Sequence, residues 1–291
     1  MKDLAIRALD LASRRGVTYA DVRAVESRER EVSTKNGKAG HVGSSDSAGI
    51  GIRVLAFGCW GFAATDDLSA AGIEAAAALA LDIARSGQAA RKQEVSLAPE
   101  DRYEATWTSP IAIDPFSIPV DQNLALLLAV DQELRRTEGV NLAEASMHFE
   151  RRRQVFASTL GSIIDQTRYL SGAGFSALSY REGEIQKRSY PNSFGGQYQL
   201  KGYELVDELR LLENAPRIAE QAVALHSADQ CPEGEFDLIL DSSQLGLQIH
   251  ESIGHPIELD RVLGSEANYA GMSFLTLDQL GKLRYGSDIV N

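Results

Sequence analysis

The sequence predicts an α+β protein. It has an N-terminal domain with an antiparallel sheet and flanking helices, then the truncated start of a second α+β or β-rich domain that carries an HExxxH helix. Three observations carry this. Strand-type segments come in consecutive runs, not in alternation with helices, which favours an antiparallel sheet over a doubly wound one. Amphipathic or alanine-rich helical stretches bracket each run. A polar stretch with Pro and Gly, residues 227–235 (SADQCPEGE), separates a first domain over 1–226 from a new pattern over 233–291.

Leu4, Ile6, Leu9 and Leu11, interspersed with Arg and Asp, predict an opening amphipathic helix closed near Gly16. Residues 21–27 alternate with period two, and Gly-rich turns separate them from strands at 49–58 and 60–63. Asp66 or Asp67 is expected to cap an alanine-rich helix over 68–85, with Gly87 past its end. Residues 88–119 hold four of the eight prolines and read as a connector packed over the surface. A helix over 120–137 follows, with Leu124, Leu127, Leu128 and Leu134 on its apolar side. Strands are expected at 141–150, 152–159, 163–170 and 172–180. Helices are expected at 203–212 and 216–226, with Pro216 in a first turn. The order helix, strands, helix thus occurs twice, without a residue-level repeat. Residues 235–241 predict a strand, and Ser242 or Ser243 a cap for a helix through Leu245, Ile249 and Ile253. The last segment is marginal as a self-standing core. It closes on a run resembling a strand stopped in passing, so the chain reads as an N-terminal fragment.

Of 291 residues, 44% are hydrophobic and 24% charged, an ordinary globular composition. Acidic residues outnumber basic ones 41 to 29, a net charge of −12. That field repels phosphate backbones and anionic membranes, so neither nucleic-acid nor membrane partners are expected. The run Arg151, Arg152, Arg153 does not change this: strand alternation turns its middle member away from the other two, and it reads as a solvated edge. Two cysteines, Cys59 and Cys231, make neither a disulfide framework nor a zinc ribbon. The charged opening residues exclude a signal peptide, and the leucine-rich run at 124–130 is too short to cross a bilayer. A cytoplasmic setting follows as the expectation.

One segment carries chemistry: His250, Glu251, Ser252, Ile253, Gly254, His255, Pro256. Two imidazoles around a carboxylate follow the zincin logic, in which the histidines bind zinc and the glutamate takes a proton from water. The spacing is one residue longer than HExxH. On a regular helix, residues five apart point about 140° apart, so His250 and His255 would diverge. They share a cation only if the turn widens, as in a π-bulge. Pro256 supplies a cause, because it has no N–H for the Ser252 carbonyl, and Gly254 adds freedom. A distortion between Ser252 and Ile257 is therefore predicted, with Ser252 accepting from Ile257. Gly246, His250 and Gly254 form a four-residue stripe that leaves room for a metal and an extended substrate, or that packs on a neighbouring element.

The run from Leu238 to Gly264, with QIHESIGHPIELDRVLG at its centre, and on through Glu266 to Gly271, closely resembles the TldD/PmbA family, most of all its zinc-bearing TldD-type members; the similarity extends weakly over the whole chain. The resemblance implies a zinc metallopeptidase acting on unfolded or extended peptides. His250 and His255 would be metal ligands and Glu251 the catalytic residue. The family's third ligand is a cysteine near its C-terminus, expected beyond residue 291; neither Cys59 nor Cys231 fits it. Dimers are also implied, either homodimers or heterodimers with a related TldE/PmbA-type subunit. Rival readings are a regulatory or peptide-binding subunit without turnover, a structural metal, and a fragment inert for want of its third ligand. Asp241, Glu258 and Asp260 either orient a ligand imidazole or, the reading favoured here, cap helices and pair with Arg261. His41, His148 and His226 read as surface or structural residues.

Overall fold

Asn36 and Gly37 set the architecture. Both hold positive φ, 47° and 76°, as the two-residue hairpin turn that Asn-Gly favours requires. They join β1 (Tyr19–Lys35) to β2 (Lys38–Ala56). The Asp131 carboxylate fastens the turn, accepting from the Gly37 N–H at 2.7 Å and from Arg135 Nε at 2.6 Å. A second such turn leads to β3 (Cys59–Thr65). The computed structural model describes residues 1–14, 16–91, 94–192 and 195–289. They divide into two compact units, Met1–Ala228 and Asp229–Asn291.

The first unit is one sheet with helices on one face, an α+β fold. After β3 come β4 (Glu104–Thr108), β5 (Val140–Ser158), β6 (Ile163–Arg181), β7 (Glu184–Tyr190) and β8 (Gln197–Gln199). The strand order is β3-β2-β1-β5-β6-β4, with β7 and β8 also paired to β6. Among the described residues only the β4–β6 pair is parallel. The helices are α1 (Lys2–Ser13), α2 (Ala70–Gly87), α3 (Val120–Arg136), α4 (Glu204–Leu209) and α5 (Leu211–Ala224).

Two apolar cores share the sheet. Under α1 and α2 lie Val22, Ala24, Ile50, Ile52, Val54 and Val155. Under α3, α4 and α5 lie Val32, Met147, Phe149 and Phe175. The duplicated order of elements thus becomes two helical caps on one sheet. Between the caps the same face is ionic: Arg153 pairs with Asp165 at 2.8 Å and Arg28 with Asp46 at 3.0 Å. Arg30 donates to the Ile118 carbonyl at 2.7 Å, holding the connector down.

The strands outrun the sequence reading. The break expected between 28 and 48 shrinks to the Asn36-Gly37 turn, those at Arg151 and Ser171 are absent, and β2, β5 and β6 each run 19 residues. Gly40, Gly43 and the serines around them suggested turns, but they lie inside β2, paired along β1. The Arg151 run sits in β5, which pairs with β1 and β6, so it is central and not an edge. Ser69, not Asp66 or Asp67, caps α2, accepting from Gly72 N–H, and Gly87 closes the helix from inside. Pro216 lies within α5, because the chain re-enters helix at Leu211 after a left-handed Arg210. The connector contributes β4.

The second unit departs further. Residues 235–241 form no strand, and no strand occurs among its described residues, against the β-rich expectation. A strand needs a ladder partner, and this run has none there: Phe236, Leu238 and Ile239 are 65, 79 and 97% exposed. No helix among the described residues is long and apolar enough to cross a membrane.

At the α1/α2 end, on the helix-free face, Asp21 is fully buried between Arg53 and Arg23. Burial, and then Asp21, push the Tyr19 hydroxyl up to about 12. An unfolded tyrosine ionises near 10, so unfolding releases its proton first, and stability falls as pH rises from about 10 to 12. Denaturant midpoints measured across that window should fall less steeply in Tyr19→Phe than in the parent.

Candidate metal centre

Asp241 starts the helix that carries the motif, one residue before the expected serines. Its carboxylate accepts from the Ser243 N–H at 2.9 Å and from the Ser243 hydroxyl at 2.7 Å. These bonds hold it below the usual carboxylate range. Helix α6 (Ser242–Ile249) leads into a π turn over His250–Gly254. The His255 N–H donates to the His250 carbonyl, five residues back. A 3₁₀ turn over His255–Ile257 and α7 (Leu259–Val262) follow.

The widening expected from the sequence is there, displaced. The five-residue bond links His255 to His250, two positions before the expected Ile257–Ser252 bond, and the Ser252 carbonyl accepts the Tyr285 hydroxyl. Pro256 accounts for both, since it cannot donate to Ser252. A π turn draws the residue five positions on back towards the first, so the imidazoles converge. Their centroids are 4.4 Å apart, with planes at 68°.

Among the described residues, His250, Glu251 and His255 each offer one ligand atom within 4.8 Å of the others. One Glu251 oxygen lies 3.8 Å from His250 Nε2 and the other 3.8 Å from His255 Nε2. On the far side of its ring, His255 Nδ1 bonds Glu258 Oε1 at 2.9 Å. The second Glu258 oxygen pairs with Arg261 Nε at 2.6 Å. This chain of contacts commits Nδ1 and leaves Nε2, on the Glu251 side, as the free donor.

Zinc fits these residues. Two nitrogens on one tetrahedral zinc stand about 3.3 Å apart, given bonds of about 2.0–2.1 Å, so small ring rotations suffice. A ligand histidine whose other nitrogen is held by a carboxylate is the usual arrangement. The His250 side chain is 59% exposed, which leaves one side of the cluster open. The glycine stripe is open too: a Cβ at Gly246 would meet nothing within 4 Å, and one at Gly254 only ordinary contacts, His250 Nδ1 at 3.9 Å and the Ile249 carbonyl oxygen at 4.0 Å.

Glu258 takes both parts that the sequence set against each other, orienting an imidazole and pairing with Arg261. Its spacing three residues after His255 was the available signal, because a 3₁₀ turn eclipses such residues. Tyr285 was not foreseeable, since 33 residues separate it from Ser252. Asp260 accepts from the Arg261 N–H at 3.0 Å, and its charge holds Glu266 above the ordinary range. His226 bonds the Ser179 hydroxyl at 3.1 Å and His148 lies against Tyr198, so neither joins the cluster.

Residues 20–84 match the family described as PmbA/TldA metallopeptidase domain 1. A metalloprotease of Methanothermobacter thermautotrophicus is 30% identical over 256 residues, covering 88% of this chain and 54% of the relative. A metalloprotease TldD homolog of Haemophilus influenzae is 25% identical over 262 residues, 88% of this chain and 52% of that protein. The chain thus spans about half the length of the curated relatives it matches. Among solved structures, TldE from Thermococcus kodakarensis shares the fold at TM-score 0.54 and 13% identity, over 76% of this chain and 46% of its own. A proposed modulator of a DNA gyrase from Thermotoga maritima does so at TM-score 0.62 and 17% identity, over 80% of this chain and 50% of its own.

Proposed function

The chain belongs to the TldD/PmbA family, and from that premise we propose that it is part of a zinc-dependent peptidase that hydrolyses unfolded or extended peptides. The observation that carries the reading is the π turn, which aims two imidazoles at one point with Glu251 facing both. His250 and His255 are the proposed ligands, and the third protein ligand comes from outside the residues in hand. When bound, zinc supplies a Lewis acid that brings the pKa of a coordinated water to about 7 and polarises a carbonyl. Glu251 receives a proton on the carboxylate that faces the rings and returns it to the leaving amine. Glu258 holds the His255 proton at Nδ1, and Arg261 holds Glu258 in place.

The substrate proposed is peptide in extended form. Residues of β2 before Ile50 have no partner on their outer side among the described residues, because β3 pairs only from Ile50 onward. Such an edge suits strand addition, which selects unfolded chains. The setting proposed is cytoplasmic. The assembly proposed is a homodimer or a heterodimer with a TldE/PmbA-type subunit.

The test is hydrolysis of an unstructured peptide by the full-length protein, with and without a related partner subunit. Chelation should abolish turnover and stoichiometric zinc restore it; turnover that survives complete metal removal would sink the proposal. Glu258→Gln should raise the zinc concentration needed by about 10–100-fold, read by competition with a chromophoric chelator, with the melting temperature of the first unit unchanged.

A further inference from the structure

The helix-free face of the sheet carries a second feature that the metal centre does not use. Register aligns its residues in rows across the strands. One row is Gly51, Arg23, Phe156 and Ile164. The next is Gly49, Val25, Gln154 and Gln166, and the third is Ser47, Ser27, Arg152 and Arg168. Arg23, Val25, Gly49, Gly51, Arg152 and Gln154 line one trough of about 510 Å³, with Phe62 as a wall.

Two of the arginines, Arg152 and Arg168, are not spent on the fold. Arg152 and Arg168 stand directly opposite each other in register, and among the described residues neither side chain has an ion-pair or hydrogen-bond partner. Like charges so placed repel at some cost to the sheet. Arg23 pairs with Asp21 and lies 4.9 Å over the Phe156 ring, yet 44% of its side chain stays exposed. The floor between these rows is glycine, valine and glutamine, low enough for a chain to lie across it.

We propose that this trough binds an extended acidic peptide segment, its carboxylates taken by Arg23 on one bank and by Arg152 and Arg168 on the other. Resting on the peptidase reading, it narrows the substrate to peptides with acidic residues in the gripped stretch. Successive rows are about 7 Å apart, so the banks suit carboxylates projecting to both sides of one extended chain. The next row outward carries Glu29 opposite Glu150, and Asp66 stands at the trough's rim. These acids limit the site to a few carboxylates. A net charge of −12 likewise disfavours a polyanion such as a nucleic acid.

Binding, not cleavage, tests this. A labelled unstructured peptide with clustered Asp and Glu is titrated into the protein in chelator, beside its Asn and Gln counterpart, and anisotropy is read. The acidic peptide should bind at least about tenfold more tightly, and more weakly as salt rises. Arg152→Gln with Arg168→Gln should remove that preference, while the melting temperature holds or rises as repulsion is relieved. Equal binding of the two peptides, an unchanged preference in the double variant, or tighter binding of a single-stranded oligonucleotide of equal charge would each overturn the proposal. Because no zinc is present, failure here leaves the peptidase reading standing, whereas loss of zinc-dependent turnover would remove only the assignment of the bound peptide as substrate and not its binding.

Discussion

Replacing Glu251 by Gln should lower peptide hydrolysis by about 10²–10⁴-fold while zinc stays bound. General acid–base catalysis by a placed side chain is worth that range, and the amide keeps the volume of the carboxylate but cannot take up a proton. The geometry makes the test clean, because the Glu251 oxygens stand 3.8 Å from each ring nitrogen while Glu258, on the other side of His255, continues to orient that ligand. His250→Ala should behave differently, losing metal and activity together. Zinc content by elemental analysis beside the rate separates the cases. A Glu251→Gln protein with full zinc and undiminished turnover would assign the motif a structural metal.

The largest expected effect on stability lies in the first unit. Gly61→Ala should destabilise the first unit by on the order of 3 kcal/mol. Strand β3 meets α2 at this residue so closely that an added Cβ would lie 1.9 Å from the Ala80 carbonyl oxygen and 2.8 Å from the Ala84 nitrogen. Both are backbone atoms of a helix, so no rotamer change makes room, and α2 must lift its own Ile73 and Ala77 from the sheet below. A fall in melting temperature of about 6–12 °C should be seen by calorimetry for a unit of this size. A melting temperature within a degree of the parent would mean that the helix shifts freely. Gly87, in α2 itself, is the control: its φ of −62° suits alanine, and an added Cβ there stands at ordinary contact distance, 3.5 Å from Cys59 Cβ.

The α+β class was legible because alternation and helical periodicity are local properties of the chain. The convergence of the two imidazoles was legible for a similar reason, since His250, His255 and the Pro256 that perturbs their helix lie within seven residues. What sequence reading missed depended on partners distant in the chain. Glycines and serines of β2 read as turns because nothing local reveals that β1 will pair with them. Residues 235–241 have every local mark of a strand, yet a ladder partner decides the matter. Arg152 was read as a solvated edge because the sequence does not say that β5 lies between β1 and β6, nor that Arg168 faces it.

Strands of 17 to 19 residues running under both caps make the sheet a long ruler. A slip of one position would send Val22, Ala24 and Val32 from the cores into water and every second polar residue inward. The charged pairs spaced along it, Arg53 with Asp21, Arg28 with Asp46 and Lys35 with Glu144, act as graduations, each matching at a single alignment. The exposed pairs among them add little cohesion, yet they too tell neighbouring strands which rung to share.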